Sequence, residues 1–441
     1  MNYSTSVKEK LFSLIKEMDT YHWLFTKNSE VDFSRKKKWS FEELIKFIIT
    51  MEGNSLKDEL LKFFDFSNRT PSNSSFNQRR AQILPDAFEY LFHEFTDFYT
   101  SEDFNYKGYR LLAYDGSDLC IAHNPNDETT YFQSIPGTKG FNQLHLNALY
   151  DLCARTYVGA IIQPARLENE YKAMCDLIDS YKGIRNTIFI ADRGLENYNI
   201  FAHAEQAGVF YLIRAKDISS NGIVASVKKQ LPKNQGNFDV DVSITLTRKQ
   251  TNEVKANPDK YRIVMKATAF DYLDLHYNKF YEMKMRIVRF PISKDSYECI
   301  ITNLPRDTFP AEILKQLYHM RWGIETSFRE LKYAIGLTHF HSKKVEYIKQ
   351  EVWARLILYN FCEIITTRVA VQQKADRKHL YQLNYTRAIK ICCYFISLKK
   401  EKAPPDVEYL ISRELLPVRT GRSDPRKVKP QSSVSFLYRV A

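Results

Sequence analysis

Between Tyr109 and Ile213 short apolar runs alternate with helical patterns, and this order restricts the fold more than any other feature of the chain. Leu111-Leu112-Ala113-Tyr114 and residues 119–122 read as extended chain on either side of Asp115-Gly116. Residues 145–152 and 156–163 have the pattern of two paired strands turning near Ala154-Arg155. Residues 170–181 place apolar side chains at helical spacing, and 186–191 form a short buried strand. Residues 197–206 are a helix ended by Gly208, and 209–213 are another buried strand. Three strands, helix, strand, helix, strand predicts an α/β fold with a mixed sheet.

The flanks differ. Residues 1–105 read as helical, with apolar spacing at 39–51 and 56–66. A basic run, Arg35-Lys36-Lys37-Lys38, precedes the first of these. A polar break at 67–74 contains Pro71, and Ser75-Phe76-Asn77-Gln78 then has the form of a capping box. Arg79 and Arg80 lie one turn into that helix. Two helices, a polar turn and a basic helix suit a helix-turn-helix DNA reader, and suit a plain bundle with solvated arginines as well. Residues 217–304 read as an all-β insertion, with runs at 238–246, 261–269, 281–290 and 297–302. Helices return at Pro310 and continue to about Leu398. The tail after Pro404-Pro405 is polar and basic, with Arg422, Arg426, Lys427 and Lys429. The predicted organisation is therefore 1–105 helical, 106–216 with 305–375 as the α/β domain, 217–304 inserted, and 376–441 a C-terminal helical region with a basic tail.

Composition narrows the function. Lys and Arg total 64 against 52 Asp and Glu, a net charge of +12 that favours polyanion partners, nucleic acid first. Hydrophobic residues make up 44% of the chain, enough for a core, which excludes a disordered chain. No apolar run approaches the roughly 18 residues of a membrane span, and the start has no basic-then-apolar leader. Seven cysteines, an odd number without a Cys-x-x-Cys pair, point to a reducing compartment, the cytoplasm.

Three acidic positions carry the chemistry. Asp115 follows Leu-Leu-Ala-Tyr, and Asp192 follows Thr-Ile-Phe-Ile-Ala, so both leave the end or edge of buried strands, where open α/β sheets build their sites. A carboxylate there needs a positive partner, either an arginine or helix N-terminus, or a hard divalent cation. The third is Glu325. On an ideal helix, offsets of 3, 7 and 14 from Tyr318 fall at about −60°, −20° and −40°, so Tyr318, Arg321, Glu325 and Lys332 share one narrow stripe. A solvated polar face with i,i+4 ion pairs accounts for Arg321 and Glu325 alone. Two metal ions about 4 Å apart account for the whole set, because they require several carboxylates, at least one of them shared. Arg321 then serves as a fork for phosphate, Lys332 as a point charge and Tyr318 as a donor to another phosphate oxygen.

The spacing Tyr318-x2-Arg321-x3-Glu325-x6-Lys332, with the two upstream aspartates, resembles the bacterial DDE transposases of insertion-sequence family four. Every position of that signature is present, and the resemblance covers about residues 105–375. It implies a ribonuclease H-like mixed sheet with an all-β insertion, flanked by N- and C-terminal helical regions. Asp115, Asp192 and Glu325 would form the metal-binding triad, holding two Mg²⁺ with Mn²⁺ as a substitute. Tyr318, Arg321 and Lys332 would bind the backbone of the transposon end. Such enzymes cut DNA at element ends and join the freed 3′-hydroxyl to target DNA, so double-stranded DNA, a homodimer on that DNA and a bacterial cytoplasm follow. In well-described relatives a hairpin forms on the end, and a flipped base stacks on a tryptophan of the insertion. This chain departs there: its tryptophans are Trp23, Trp39, Trp322 and Trp353, none of them in the insertion. Stacking then falls to Trp322, or to Phe270, Tyr272 or Tyr281. Three rivals remain: a metal-dependent nuclease on the same fold, a transposase-derived DNA-binding protein without catalysis, and an RNA-directed protein. Outside the signature, Asp118 reads as a spare ligand or as a turn or surface carboxylate, Glu168 and Glu170 as charge favourable at a helix N-terminus, Arg329 as a further phosphate contact or an exposed residue, and Cys392-Cys393 as core.

Overall fold

The computed structural model describes residues 2–418, apart from 36–37, 101–102, 134–136, 138, 184–185, 234–235, 275, 294–295, 374–378 and 400–402. Part of the basic run at 35–38 and the whole basic tail from 419 lie outside the described residues. Five helices come first: α1 (Tyr3–Thr20), α2 (Phe41–Thr50), α3 (Leu56–Phe63), α4 (Asn73–Arg80) and α5 (Asp86–Phe98). The capping box of this region is at Ser40 and Glu43, where each side chain satisfies the other's backbone N–H. The expected box at Ser75–Gln78 does not form. Extended backbone ends at Ser72, directly after Pro71, so Ser72 is the cap and its hydroxyl accepts from the Ser75 N–H. Gln78 donates to the Ser74 hydroxyl instead.

The sheet follows. Its strands are β1 (Arg110–Ile121), β2 (Tyr131–Phe132), β3 (Phe141–Asp151) and β4 (Thr156–Pro164), then α6 (Glu170–Ser180), β5 (Thr187–Ala191), α7 (Tyr198–Gln206) and β6 (Phe210–Ala215). β1, β3 and β4 are an antiparallel meander, while β5 and β6 run parallel to β1. This is the α/β order expected from the sequence. The β3–β4 turn is fixed by Asp151, whose carboxylate accepts the Cys153 and Ala154 N–H groups at 2.9 Å, and by Arg155 at φ +60°. The two extended runs around Asp115-Gly116 are one strand. Its parallel pairing with β5 stops at Ala113, and β1 continues paired to β3 alone. Asp115 therefore lies inside β1, yet two residues past the last parallel pair.

Residues 217–304 hold α8 (Ile223–Ser226), β7 (Phe238–Thr247), α9 (Asn252–Ala256), β8 (Tyr261–Ile263), β9 (Phe280–Ser293) and β10 (Ser296–Thr302). The segment is β-rich but not all-β, since α8 and α9 interrupt it. The run at 261–269 keeps only three strand residues because β8 is an edge strand paired solely to β7. Nor is the segment a separate sheet: β10 pairs with β6, and the ten strands form one sheet in the order β2-β3-β1-β5-β6-β10-β9-β7-β8, with β4 on β3.

The remainder comprises α10 (Ala311–Met320), α11 (Trp322–Tyr333), α12 (Val345–Thr366), a short ladder of β11 (Tyr381–Leu383) with β12 (Leu415–Pro417), and between them α13 (Tyr385–Ser397) and α14 (Val407–Arg413). Every residue of α12 from 350 to 366 is buried. A helix covered on all sides is the centre of a core. One apolar cluster joins α12 to the N-terminal helices, to one face of β1, β3 and β4, and to α11, α13 and α14. Cys392 is buried there and Cys393 half-buried. Two charged groups on α12 have internal partners. Glu351 pairs with Arg80 at 2.7 Å, and Glu363 with Arg155 at 2.8 Å.

Arg80 is fully buried, and its guanidinium also donates to Gln350 and to the Tyr347 carbonyl. Removing one partner of a buried pair strands the other charge. Arg80→Ala is therefore expected to destabilise the fold by about 3–5 kcal/mol in urea denaturation. A loss below about 1 kcal/mol would contradict the structural role.

Candidate active site

Asp115 and Asp192 come from neighbouring parallel strands. Asp192 directly follows the fully buried β5, and its backbone is extended before a single 3-10 turn at Arg193–Leu195. Both carboxylates thus stand at the C-terminal edge of the β1–β5–β6 sheet, as the strand-end reading requires. Glu325 arrives on α11. The expected single helix from Tyr318 to Lys332 is broken: Arg321 ends α10 and caps α11, and its N–H bonds to the Tyr318 carbonyl three residues back. The interruption is a single residue whose backbone stays right-handed helical, so Tyr318, Arg321 and Glu325 remain on one side.

Arg321 is the hub. Its guanidinium is 2.8 Å from Glu325 Oε1 and 3.6 Å from Asp115 Oδ2, and the residue is only 3% exposed. The Tyr318 hydroxyl donates to Asp192 Oδ1 at 2.8 Å, and Arg214 Nη1 lies 3.7 Å from the same oxygen. Asp115 and Glu325 therefore share Arg321, while Asp192 has Tyr318 and Arg214 as its partners and feels Arg321 only through space. Burial pushes the Asp115 carboxyl up to about 6, against the pull of the Gly116 N–H and Arg321, while the Glu325 and Asp192 charges push it further. Asp192 is likewise disfavoured by burial, but the Arg193 N–H, Tyr318, Arg321 and Arg214 together hold it below the usual carboxylate range. Burial and the Asp192 bond push the Tyr318 phenol well up, so it remains a donor. The donor set of the three carboxylates is all oxygen, the kind a hard divalent cation takes, and Arg321 occupies the place between Asp115 and Glu325.

Lys332 lies further along α11 and donates to the Asp118 carbonyl at 2.8 Å, at the edge of the triad. Burial lowers its pKa. Arg329 is exposed on the same helix. Trp322 is half-exposed beside Arg321, with the guanidinium 5.2 Å from its ring. It borders a cavity of about 460 Å³ that also contains Tyr318, Arg214, Lys315 and Glu298. Arg79 and Arg80 are not part of this surface. Arg79 is 6% exposed, donating to the Trp39 carbonyl and lying over the Phe33 ring, and Arg80 is spent on Glu351. Both guanidiniums are committed to partners within the helical core, so the expectation of a DNA-facing pair there gives way to a structural one.

Sequence reasoning missed Arg214, which also pairs with Glu298 at 2.9 Å. The signal was present, a charge ending the buried run at 209–213, the same signal that marked Asp192. It also missed His145, an inward histidine on β3 that gathers Asp118, Glu168 and Glu170. Asp118 lies on a strand, not a turn.

Comparison with known proteins places this geometry in context. A family model described as "Transposase DDE domain" matches residues 106–361, more than half of the chain. The transposase for insertion sequence element IS231F of Bacillus thuringiensis subsp. israelensis is 21% identical over 421 residues, covering 87% of this chain and 86% of that protein. Transposase InsG for insertion sequence element IS4 of Escherichia coli (strain K12) is 28% identical over 131 residues, 27% of this chain and 29% of that one. The cryo-EM structure of piggyBac transposase synaptic complex with hairpin DNA overlays with a TM-score of 0.44 at 10% identity, covering 95% of this chain and 87% of that chain.

The raised Asp115 pKa has a sign that can be checked. The folded state holds the Asp115 proton up to about pH 6, whereas the unfolded chain releases it near 4, so stability falls as pH rises through that window and stays lower above it. In metal-free buffer Asp115→Asn is expected to be more stable than wild type at pH 8, by about 1–3 kcal/mol, with the gain gone below pH 4. An Asn variant that is less stable at both pH values would contradict the charge crowding. Added Mg²⁺ should raise the Tm of wild type and not that of the variant.

Proposed function

This chain belongs to the transposase DDE domain family, as an insertion-sequence transposase of IS4-like type, and we propose that it cuts DNA at its element's ends and transfers the 3′-hydroxyl to target DNA. Asp115, Asp192 and Glu325 are its catalytic triad in this reading. The observation that carries it is that carboxylates from the middle of β1 and the start of α11 share Arg321, while the carboxylate at the end of β5 is held by Tyr318, three residues before Arg321. The order β4-β3-β1-β5-β6, with α6 and α7 as the connections, supports a ribonuclease H-like core extended by β7 to β10.

Mg²⁺ held by Asp115, Asp192 and Glu325, as a pair of ions that Mn²⁺ can replace, would activate the attacking oxygen and stabilise the leaving one. The chain's own residues do the rest. Arg321 neutralises the acids in the resting protein and turns its two-pronged face to the phosphate when the acids take cations. Tyr318 holds Asp192 in place and keeps a proton to share with a phosphate oxygen. Lys332, at the far end of α11, supplies a positive charge along the strand path. Trp322 and the adjoining cavity receive a base next to the scissile phosphate, with Arg214 and Lys315 facing the backbone. Two element ends must be held together, so the active form is a homodimer on double-stranded DNA. The seven cysteines are free thiols, which suits a cytoplasmic enzyme. No described helix is long and apolar enough to cross a membrane.

The test is cleavage and joining on DNA bearing the element's ends, with Mg²⁺. Wild type should nick at the boundary and join the 3′ end to target. Glu325→Gln should bind the ends normally but lose both steps by at least about 10³-fold, the several kcal/mol that metal-assisted charge stabilisation supplies. Cleavage without joined product would favour the nuclease reading, and full activity in the Gln variant would remove Glu325 from the site. Trp322→Ala should weaken end binding by about 5- to 100-fold, the worth of one stacked base, while Trp322→Phe keeps most of it. Equal binding by both variants would take Trp322 out of the DNA path.

A further inference from the structure

On the face of β1 opposite to Asp115, four side chains converge that the triad does not use. Asp118 is directly across the ladder from His145, and its Oδ1 is 2.8 Å from the imidazole Nδ1. Glu168 Oε2, in the turn before α6, is 3.6 Å from the same nitrogen. Glu170 Oε1, in the first turn of α6, is 3.2 Å from Nε2. One ligand atom each from Asp118, His145 and Glu168 lies within 4.8 Å of the others.

Three observations set this cluster apart from a solvated acidic patch. The imidazole is 95% buried, as its 5% exposure implies, and its Nε2 has no well-formed hydrogen bond. Gly116 makes room for it, since a Cβ there would stand 2.3 Å from His145 Nε2 and 2.5 Å from Glu170 Oε1. Three carboxylates also surround one imidazole, so even a protonated ring leaves excess negative charge. Lys332 acts on Asp118 across this gap, but its ammonium is bonded to the Asp118 carbonyl.

We propose that Asp118, His145 and Glu168 form a divalent transition-metal site, for Zn²⁺ or Mn²⁺, distinct from the Asp115 site, with Glu170 accepting the Nε2–H. Imidazole with carboxylates suits these ions better than Mg²⁺ or Ca²⁺. A ligating histidine characteristically gives its other N–H to a carboxylate, the place Glu170 occupies. Binding replaces the Nδ1 proton, which leaves to solvent. The ion ties β1 to β3 and to the start of α6, behind the backbone that carries Asp115, so its role is to hold that strand in place. The proposal does not depend on Asp115 being catalytic.

The experiment uses the full chain carrying Asp192→Asn and Glu325→Gln, which disables the triad as a metal site. Zn²⁺ binding is measured by calorimetry, and Co²⁺ by its visible absorption. The expected result is one tightly held Zn²⁺ per chain and a Co²⁺ band. Asp118→Asn or Glu168→Gln, added singly, should weaken Zn²⁺ binding by at least about 10-fold, and His145→Ala should remove it. Asp118 and Glu168 are substantially exposed, so their amide variants keep the fold, which circular dichroism verifies. Absence of bound Zn²⁺, or equal binding with and without the amide substitutions, would overturn the proposal and leave a protonated histidine salt-bridged to three acids. Loss of Mg²⁺-dependent DNA cleavage in Glu325→Gln is a separate readout, so this inference and the triad assignment can fail independently.

Discussion

Three carboxylates brought to one edge of a sheet repel one another, and this structure can hold them only because a cation is built in among them. Arg321 is that cation. It bonds Glu325, approaches Asp115, and lowers the charge felt by Asp192 through space. The compensation does not reach Asp115 fully, because burial first, and then the Glu325 and Asp192 charges, push its pKa up. A site left short of positive charge has free energy to gain from binding more of it, which is how a protein stores affinity for metal ions and for the phosphates that accompany them. The same acids that cost stability in the resting protein are the ones a two-metal reaction needs.

The rest of the fold keeps that conflict in register. α12 is buried along most of its length and joins the N-terminal helices, one face of the sheet and the C-terminal helices in a single core. α11 packs against this core and β1, so the position of Glu325 is set by apolar contacts as well as by α10 directly before it. On either side of the one-residue interruption at Arg321, Tyr318 reaches Asp192 and Glu325 bonds Arg321 beside Asp115. Buried ion pairs at Arg80–Glu351 and Arg155–Glu363 brace α12 from either side.

Much of this was legible in the sequence because it rests on period and position. The buried run Thr187 to Ala191 fixes β5, and a carboxylate directly after it needs no tertiary information to be placed at a strand end. The helical spacing from Tyr318 to Glu325 likewise brings the right side chains to one side, even though the ideal helix behind that argument is broken at Arg321. What stayed hidden depends on contacts distant in the chain. Arg79 and Arg80 read as exposed base or phosphate readers because nothing local shows that Glu351, 271 residues away, will enclose Arg80. Asp118 is the exposed carboxylate that the sequence suggested, but its pairing with His145 stayed hidden because that residue is on another strand. The 217–304 segment read as an all-β insertion, and its joining of the main sheet stayed hidden because pairing of β10 with β6 is a property of the sheet, not of either strand.

The most direct test of the central claim, that these acids touch a catalytic metal, is a change of ligand chemistry at Asp192. Mg²⁺ takes oxygen donors and binds sulfur poorly, whereas Mn²⁺ accepts a thiolate. DNA end cleavage by Asp192→Cys, measured in each metal, should be nearly absent in Mg²⁺ and substantially recovered in Mn²⁺, with wild type active in both. Equal activity of the Cys variant in the two metals would contradict the account, because a side chain indifferent to the metal's identity is not one of its ligands.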